Sequence, residues 1–242
     1  MASQPRRQSQ VRLTERDTAA LEWLAQQYGA PLDVVGKLLA ALSGSDSLDR
    51  SAPYRVADRW RRLGRVSLEA GANADAAAWV VPTHRWATAY LGFRVGDWVP
   101  RPSTTEHTRA LAEIRLALCG GDAGRWVSER QLRRLCRDSG AGHRHDAWFT
   151  DLRGRRWAIE AEISPKYGAG RLADMVDEVL TSADRHSLAG ALYFARGAVV
   201  KQVETAGAAV AEHRPAGAAG VQVFDLDALL AKRLYQRKDA AS

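Results

Sequence analysis

The chain has 242 residues, 46% of them hydrophobic and 8 of them Trp, which is enough for buried cores in two small domains. Its formal charge of +7 and pI near 9.8 come from arginine rather than lysine, and a guanidinium fork suits phosphate, so nucleic acid is the first partner to expect. No apolar run reaches the roughly 18 residues of a membrane span, MASQPRRQSQ lacks the apolar core of a secretory signal, and Cys119 and Cys136 make neither a disulfide framework nor a zinc site; a cytoplasmic protein with no membrane partner is therefore expected.

Residues 1–13 are polar and basic and read as a disordered tail. From Thr14 the pattern turns helical. Thr14 caps, Glu15 and Asp17 fill the first turn, Leu21, Leu24, Ala25 and Tyr28 recur at helical spacing, and Gly29 stops the helix. Pro31 starts a second helix over residues 32–42, with Val34, Val35, Leu38 and Leu39 inward. A third, over residues 54–63, carries Val56, Trp60 and Leu63 on one stripe and Arg55, Arg59 and Arg62 on another. Strand-like runs at 66–68 and 78–82 flank an Asn/Gly-rich turn. Three helices followed by two strands fit a winged helix-turn-helix over residues 14–100. Its third helix would enter the major groove, with Arg55, Arg59, Arg61, Arg62 and Arg65 as DNA contacts. A solvated charged face is the plainer account of the same arginines. Residues 84–91 read as another helix, and 92–105, with Pro100 and Pro102, as a linker.

The second domain, residues 101–242, opens with a helix over 106–118, in which Glu106 and His107 read as start-of-helix residues. A further helix is predicted over 126–136, with Val127 opening, Ser128 as its cap and Leu132 and Leu135 inward, its Arg130, Arg133, Arg134 and Arg137 forming a second basic stripe. The stretch HRHDAWFTDLRGRRWAIEAEISPK, residues 143–166, follows. Two apolar runs around a Gly-containing turn read as a β-hairpin, and alternation in the second puts Glu160 and Glu162 on one face. With Asp146 at the start of the partner strand, three carboxylates converge. Their repulsion calls for a divalent cation, and oxygen donors suit Mg²⁺, or Mn²⁺. The plainer account is an edge strand with a solvated acidic face. His145, next to Asp146, is either a structural histidine or one that orients a water. Beyond the hairpin, helices are predicted at 170–186, 199–211 and 226–235 and strands at 189–195 and 220–224, an α/β order.

Asp146, the hairpin and Glu160-Ala161-Glu162 resemble the PD-(D/E)XK nuclease superfamily, with Asp146 and Glu160 at its two acidic positions. The chain departs from that pattern at Glu162, where the superfamily usually has Lys. Lys166, brought close by the extended Ile163-Ser164-Pro165, could supply the charge. The resemblance implies a restriction-endonuclease-like mixed-sheet α/β domain, and by position alone it adds Glu113 as another acid. The order of a winged helix and this core, together with HxHDA, W-x-IEAE and SPK, resembles the replication-relaxation family of actinobacterial plasmid and mobile-element proteins. That resemblance implies a plasmid or mobile-element context, and the acids of the nuclease-like stretch lead to the expectation of metal-dependent cutting or nicking of double-stranded DNA, with Asp146, Glu160 and Glu162 as ligands or base and Lys166 as the phosphate-facing cation. A second copy of the chain and replication or mobilisation proteins are further candidate partners. A non-catalytic origin-binding or regulatory protein is the alternative, favoured by Glu162 in place of Lys.

Overall fold

The computed structural model describes residues 12–45, 47–71, 77–136, 143–164 and 169–239. Lys166 and residues 1–11 of the expected tail lie outside these. Among the described residues the architecture is mixed α/β with two sheets, and no helix is long and apolar enough to cross a membrane.

The N-terminal unit begins with α1 (Glu15–Gln26), β1 (Ala30–Pro31), α2 (Leu32–Leu42) and α3 (Ala52–Arg62). These are followed by β2 (Val66–Glu69), β3 (Trp79–Pro82) and α4 (His84–Leu91). Thr14 and Asp17 form a reciprocal capping box that satisfies orphan amides at the start of α1. β2 and β3 pair antiparallel, and the two-residue β1, which hydrophobic periodicity is too short to reveal, adds to the other edge of β3. Leu21, Leu24, Val35, Leu38, Val56 and Trp60 fill the space between.

Asp17, fully buried, joins α1 to α3. Besides closing the cap it accepts a hydrogen bond from Trp60 Nε1 at 3.0 Å and pairs with Arg59. Burial by itself raises its pKa, but the Thr14 amide and hydroxyl, the Trp60 indole and the Arg59 guanidinium outweigh that and hold it below the ordinary carboxylate value.

The second unit consists of α5 (Pro102–Cys119), β4 (Trp126–Ser128), α6 (Glu129–Leu135), β5 (Ala147–Thr150), β6 (Arg156–Glu162), α7 (Ala169–Arg185), β7 (Gly190–Ala195), α8 (Ala198–Ala211), β8 (Gly220–Asp225) and α9 (Leu226–Asp239). The sheet runs β4-β5-β6-β7-β8, antiparallel through β6 and parallel from β6 to β8. One face packs on α5 and α9 through Ile114, Phe149, Ile159, Phe194 and Leu226, the other on α7 and α8 through Trp148, Val176, Val179 and Val203. β7 starts at Gly190 (φ 149°), where a Cβ would stand 2.4 Å from the carbonyl oxygen of Gly220 on β8, so only glycine allows this approach.

Two expectations change. Residues 126–136 are a strand and then a short helix: Trp126 and Val127 pair with Phe149 and Trp148, and the Ser128–Gln131 capping box starts α6 only afterwards. The stretch expected as a linker ends in helix, because α5 begins at Pro102, a residue suited to a first helical turn. α5 also serves both cores, with Ala112 and Leu116 in the N-terminal one and Ala110, Leu111 and Ile114 against the sheet.

Asp17→Ala is expected to lower stability at neutral pH by about 3 kcal/mol, because it strips a cap and leaves the Trp60 N–H without its acceptor. A carboxyl whose folded pKa is depressed stabilises above its unfolded value and ceases to as pH falls through the folded one. Urea unfolding should therefore show the wild-type advantage shrinking below pH 3.8. An advantage unchanged into strong acid would remove this role.

Candidate functional site

β6 is the strand at which the sheet changes from antiparallel to parallel pairing, and Glu160 and Glu162 lie toward its carboxyl end. Register sets this up. Ala147 lies opposite Ile159, so Asp146, one residue earlier, falls across from Glu160. Glu160 in turn is level with Tyr193 of β7. Glu160 is only 8% exposed, and a carboxylate so buried between two neighbouring strands needs donors. Two imidazoles provide them: His143 Nε2 lies 3.0 Å and His145 Nδ1 2.9 Å from the same oxygen, Oε1. Burial pushes the Glu160 pKa up, yet these two hydrogen bonds and their charges outweigh it and leave the carboxyl below its usual value. For His143, burial lowers the pKa but Glu160, followed by Asp146, turns the net shift upward.

The segment carrying the histidines is held from two sides. Ser182 of α7 donates its hydroxyl to the His143 carbonyl at 2.9 Å, and His145, 2% exposed, sits with its ring centroid 6.5 Å from that of Trp148. Asp146 accepts from the Ala161 amide at 2.9 Å, within the Glu160–Glu162 stretch, and its Oδ2 lies 3.1 Å from His107 Nε2 of α5. Glu162 stands half-buried at the end of β6. The Tyr193 hydroxyl lies among these acids: burial raises its pKa, and Glu160, Glu162 and Asp146 raise it further.

The structure thus brings Asp146, Glu160 and Glu162 into one neighbourhood, but the compact cluster contains different residues. Among the described residues, His143, His145 and Glu160 have ligand atoms all within 4.8 Å of one another and could hold a metal ion. The hydrogen bonds described above fall on one oxygen of each carboxylate, Glu160 Oε1 and Asp146 Oδ2. The donors mix nitrogen and oxygen, and nothing in them singles out Mg²⁺ or Mn²⁺. Sequence reasoning missed His143 and His107. For His143 the signal was there, since His-x-His in an extended segment turns both rings to one side. For His107 there was none: it reaches Asp146 from a helix 39 residues away in sequence.

Glu113 belongs to another network. It is 5% exposed and receives Arg109 Nε at 3.1 Å and Arg196 Nη2 at 3.4 Å, while Arg109 also pairs with Asp33 of α2 and Arg196 with Asp227 of α9. Of the arginines proposed for DNA, Arg59 is held by Asp17, and Arg61 and Arg62 both pair with Asp58. Arg65 lies over the Trp86 ring at 4.6 Å, and Arg55 is exposed and bonded to Ser51. In the second basic stripe, Arg130 is buried and donates to the Ala25 carbonyl of α1, which turns it away from the acids. Comparisons of the chain with protein-family models, curated proteins and solved structures return no match.

Glu113→Gln is expected to cost about 2 kcal/mol of stability by weakening two guanidinium contacts at once. It should leave the protein's response to divalent cations unchanged. An altered metal response in calorimetry at full folding would return Glu113 to the site.

Proposed function

We propose that the chain binds duplex DNA through its N-terminal unit and hydrolyses phosphodiester bonds at the carboxyl end of β6, nicking or cutting DNA in the setting of a plasmid or mobile element. The observation that carries this is the convergence of Asp146, Glu160 and Glu162 where β5, β6 and β7 meet, since open α/β sheets receive ligands outside the carboxyl ends of their strands. Three helices, the β2–β3 hairpin and the short β1 support a winged-helix reading, in which α3 offers Arg55, Arg61 and Arg62 on an exposed face.

In this reading Glu160, with Asp146 beside it, would hold a divalent cation, which would supply Lewis acidity and a water of lowered pKa. The chain's own residues do the rest. The Ala161 amide fixes the Asp146 carboxylate. His107, set by its contact with Asp146, is placed to take the proton that an attacking water loses as its oxygen bonds to phosphorus and a sugar oxygen departs. A regulatory or origin-binding protein without catalysis is the second reading, favoured by Glu162 where the resemblance would put Lys.

Asp146→Asn is expected to reduce nicking of supercoiled plasmid by at least about 100-fold with duplex affinity retained. Wild type that binds DNA yet leaves it intact with Mg²⁺, Mn²⁺ and Zn²⁺ would give way to the regulatory reading.

DNA affinity should depend on Arg55 and Arg62. Arg62 is 70% exposed, and truncating these two spares the buried Asp17 that Arg59 serves. The double alanine variant is expected to fold normally, bind duplex more weakly and show a log–log salt slope shallower by about 0.9 for each phosphate that is no longer neutralised. An unchanged slope in a fluorescence-anisotropy titration would move the DNA surface elsewhere.

A further inference from the structure

We infer that His143, His145 and Glu160 form a binding site for a borderline transition-metal ion of the Zn²⁺ or Co²⁺ class, with Mg²⁺ disfavoured. This deepens the catalytic reading above by naming the metal chemistry of the same site, and its test does not depend on cleavage.

The first argument is the geometry around one atom. Both imidazole nitrogens approach the same oxygen of Glu160, at 3.0 Å and 2.9 Å. With no metal, each ring must place its proton toward Glu160, on Nε2 of His143 and on Nδ1 of His145. For a metal ion to bind, each neutral ring shifts its proton to its other nitrogen, which frees the lone pairs of the two nitrogens that face Glu160; with the carboxylate oxygen these make three donor atoms that already lie within 4.8 Å of one another. Neutral imidazole coordinates through whichever nitrogen its surroundings leave exposed to the ion, and here the two rings present different ones.

The second argument is donor chemistry. Mg²⁺ takes oxygen ligands and gives up water reluctantly, whereas two nitrogens in a set of three suit zinc, cobalt and their neighbours. The all-oxygen set of Asp146, Glu160 and Glu162 would favour Mg²⁺, but only Glu160 of those three belongs to the compact cluster. A set of three protein ligands also leaves coordination open for water or a phosphate oxygen, as catalytic rather than structural sites require.

The third argument is preorganisation. Glu160 is fixed in a strand with neighbours on both sides. His145 is packed at 2% exposure near Trp148, and the backbone of His143 is tied to α7 through Ser182. Little side-chain freedom remains to be lost when an ion binds, which favours affinity. Asp146, held by the Ala161 amide and His107, stands alongside the cluster as an outer neighbour.

The test is metal binding to the full chain after treatment with chelator and dialysis. Zn²⁺, Co²⁺ and Mg²⁺ are titrated separately by calorimetry and thermal melting, and the visible spectrum of the Co²⁺ form reports nitrogen ligation. Zn²⁺ and Co²⁺ are expected to bind one ion per chain and raise the melting temperature, with Mg²⁺ at least about 100-fold weaker. His143→Ala and Glu160→Gln should each weaken Zn²⁺ binding at least about 100-fold, and Asp146→Asn by about tenfold or less. His145 is so buried that its variants are open to misfolding. His143, whose side chain is 20% exposed, is therefore the deciding position, with circular dichroism to verify the fold. Equal affinity for Mg²⁺ and Zn²⁺, or Zn²⁺ binding that survives His143→Ala, overturns the inference. Zn²⁺ binding without DNA cleavage leaves this site standing and removes the nuclease, whereas cleavage supported by Mg²⁺ with no Zn²⁺ site does the reverse.

Discussion

A guanidinium with no exposure to water holds the two halves of this protein together. Arg115 of α5 donates to the Trp23 carbonyl at 2.9 Å and to the Gln26 side chain, and lies 4.5 Å from the Trp23 ring centroid. Burial lowers its pKa to about 9, still above neutrality, so the group remains a cation. A buried cation is costly unless it is hydrogen-bonded, and here the partners lie in the last turn of α1, where carbonyls lack helical partners and the helix dipole favours positive charge. Arg130 adds a second contact to the same end through the Ala25 carbonyl and rests on the Tyr28 ring at 4.6 Å. Removing either arginine would leave carbonyls at the end of α1 buried without donors.

Because Arg115 clamps α1, α5 acts as a beam between the units. Its other turns point elsewhere: Ala112 and Leu116 into the N-terminal core, Ile114 onto the sheet, Glu113 to Arg109 and Arg196, and His107 to Asp146. Any DNA held on the N-terminal unit would thus stand at a set position relative to the carboxyl end of β6. In the proposed reading, a stiff link of this kind would limit which phosphate could reach the acids and would cost little ordering entropy on binding.

The site itself turns on burying acid. Glu160 lies in the centre of the sheet, where hydrophobic neighbours make an unpaired carboxylate untenable, and the two imidazoles answer that need. The same pairing assembles three metal-competent donors. A purely structural arrangement could have satisfied Glu160 with one backbone amide, as Asp146 is partly satisfied by Ala161. Two histidines on one carboxylate oxygen exceed what packing requires.

Side-chain spacing located most of the elements, though not β1 or β4. Periodicity located α1, α2, α3 and α4 closely, alternation put Glu160 and Glu162 on one face of β6, and the Gly-containing turn marked the hairpin that brings Asp146 opposite Glu160. These are local consequences of side-chain spacing and turn chemistry, which a linear pattern records. What touches what was decided only in three dimensions. Arg59 turned inward to Asp17, Glu113 joined a guanidinium network, Trp126 and Val127 became a strand by pairing with β5, and His107 reached Asp146 from another helix. Each of these depends on the free energy of burying a charge or pairing a backbone against a distant partner. Such energies have no period in the sequence, because the partners are set by how helices and strands pack.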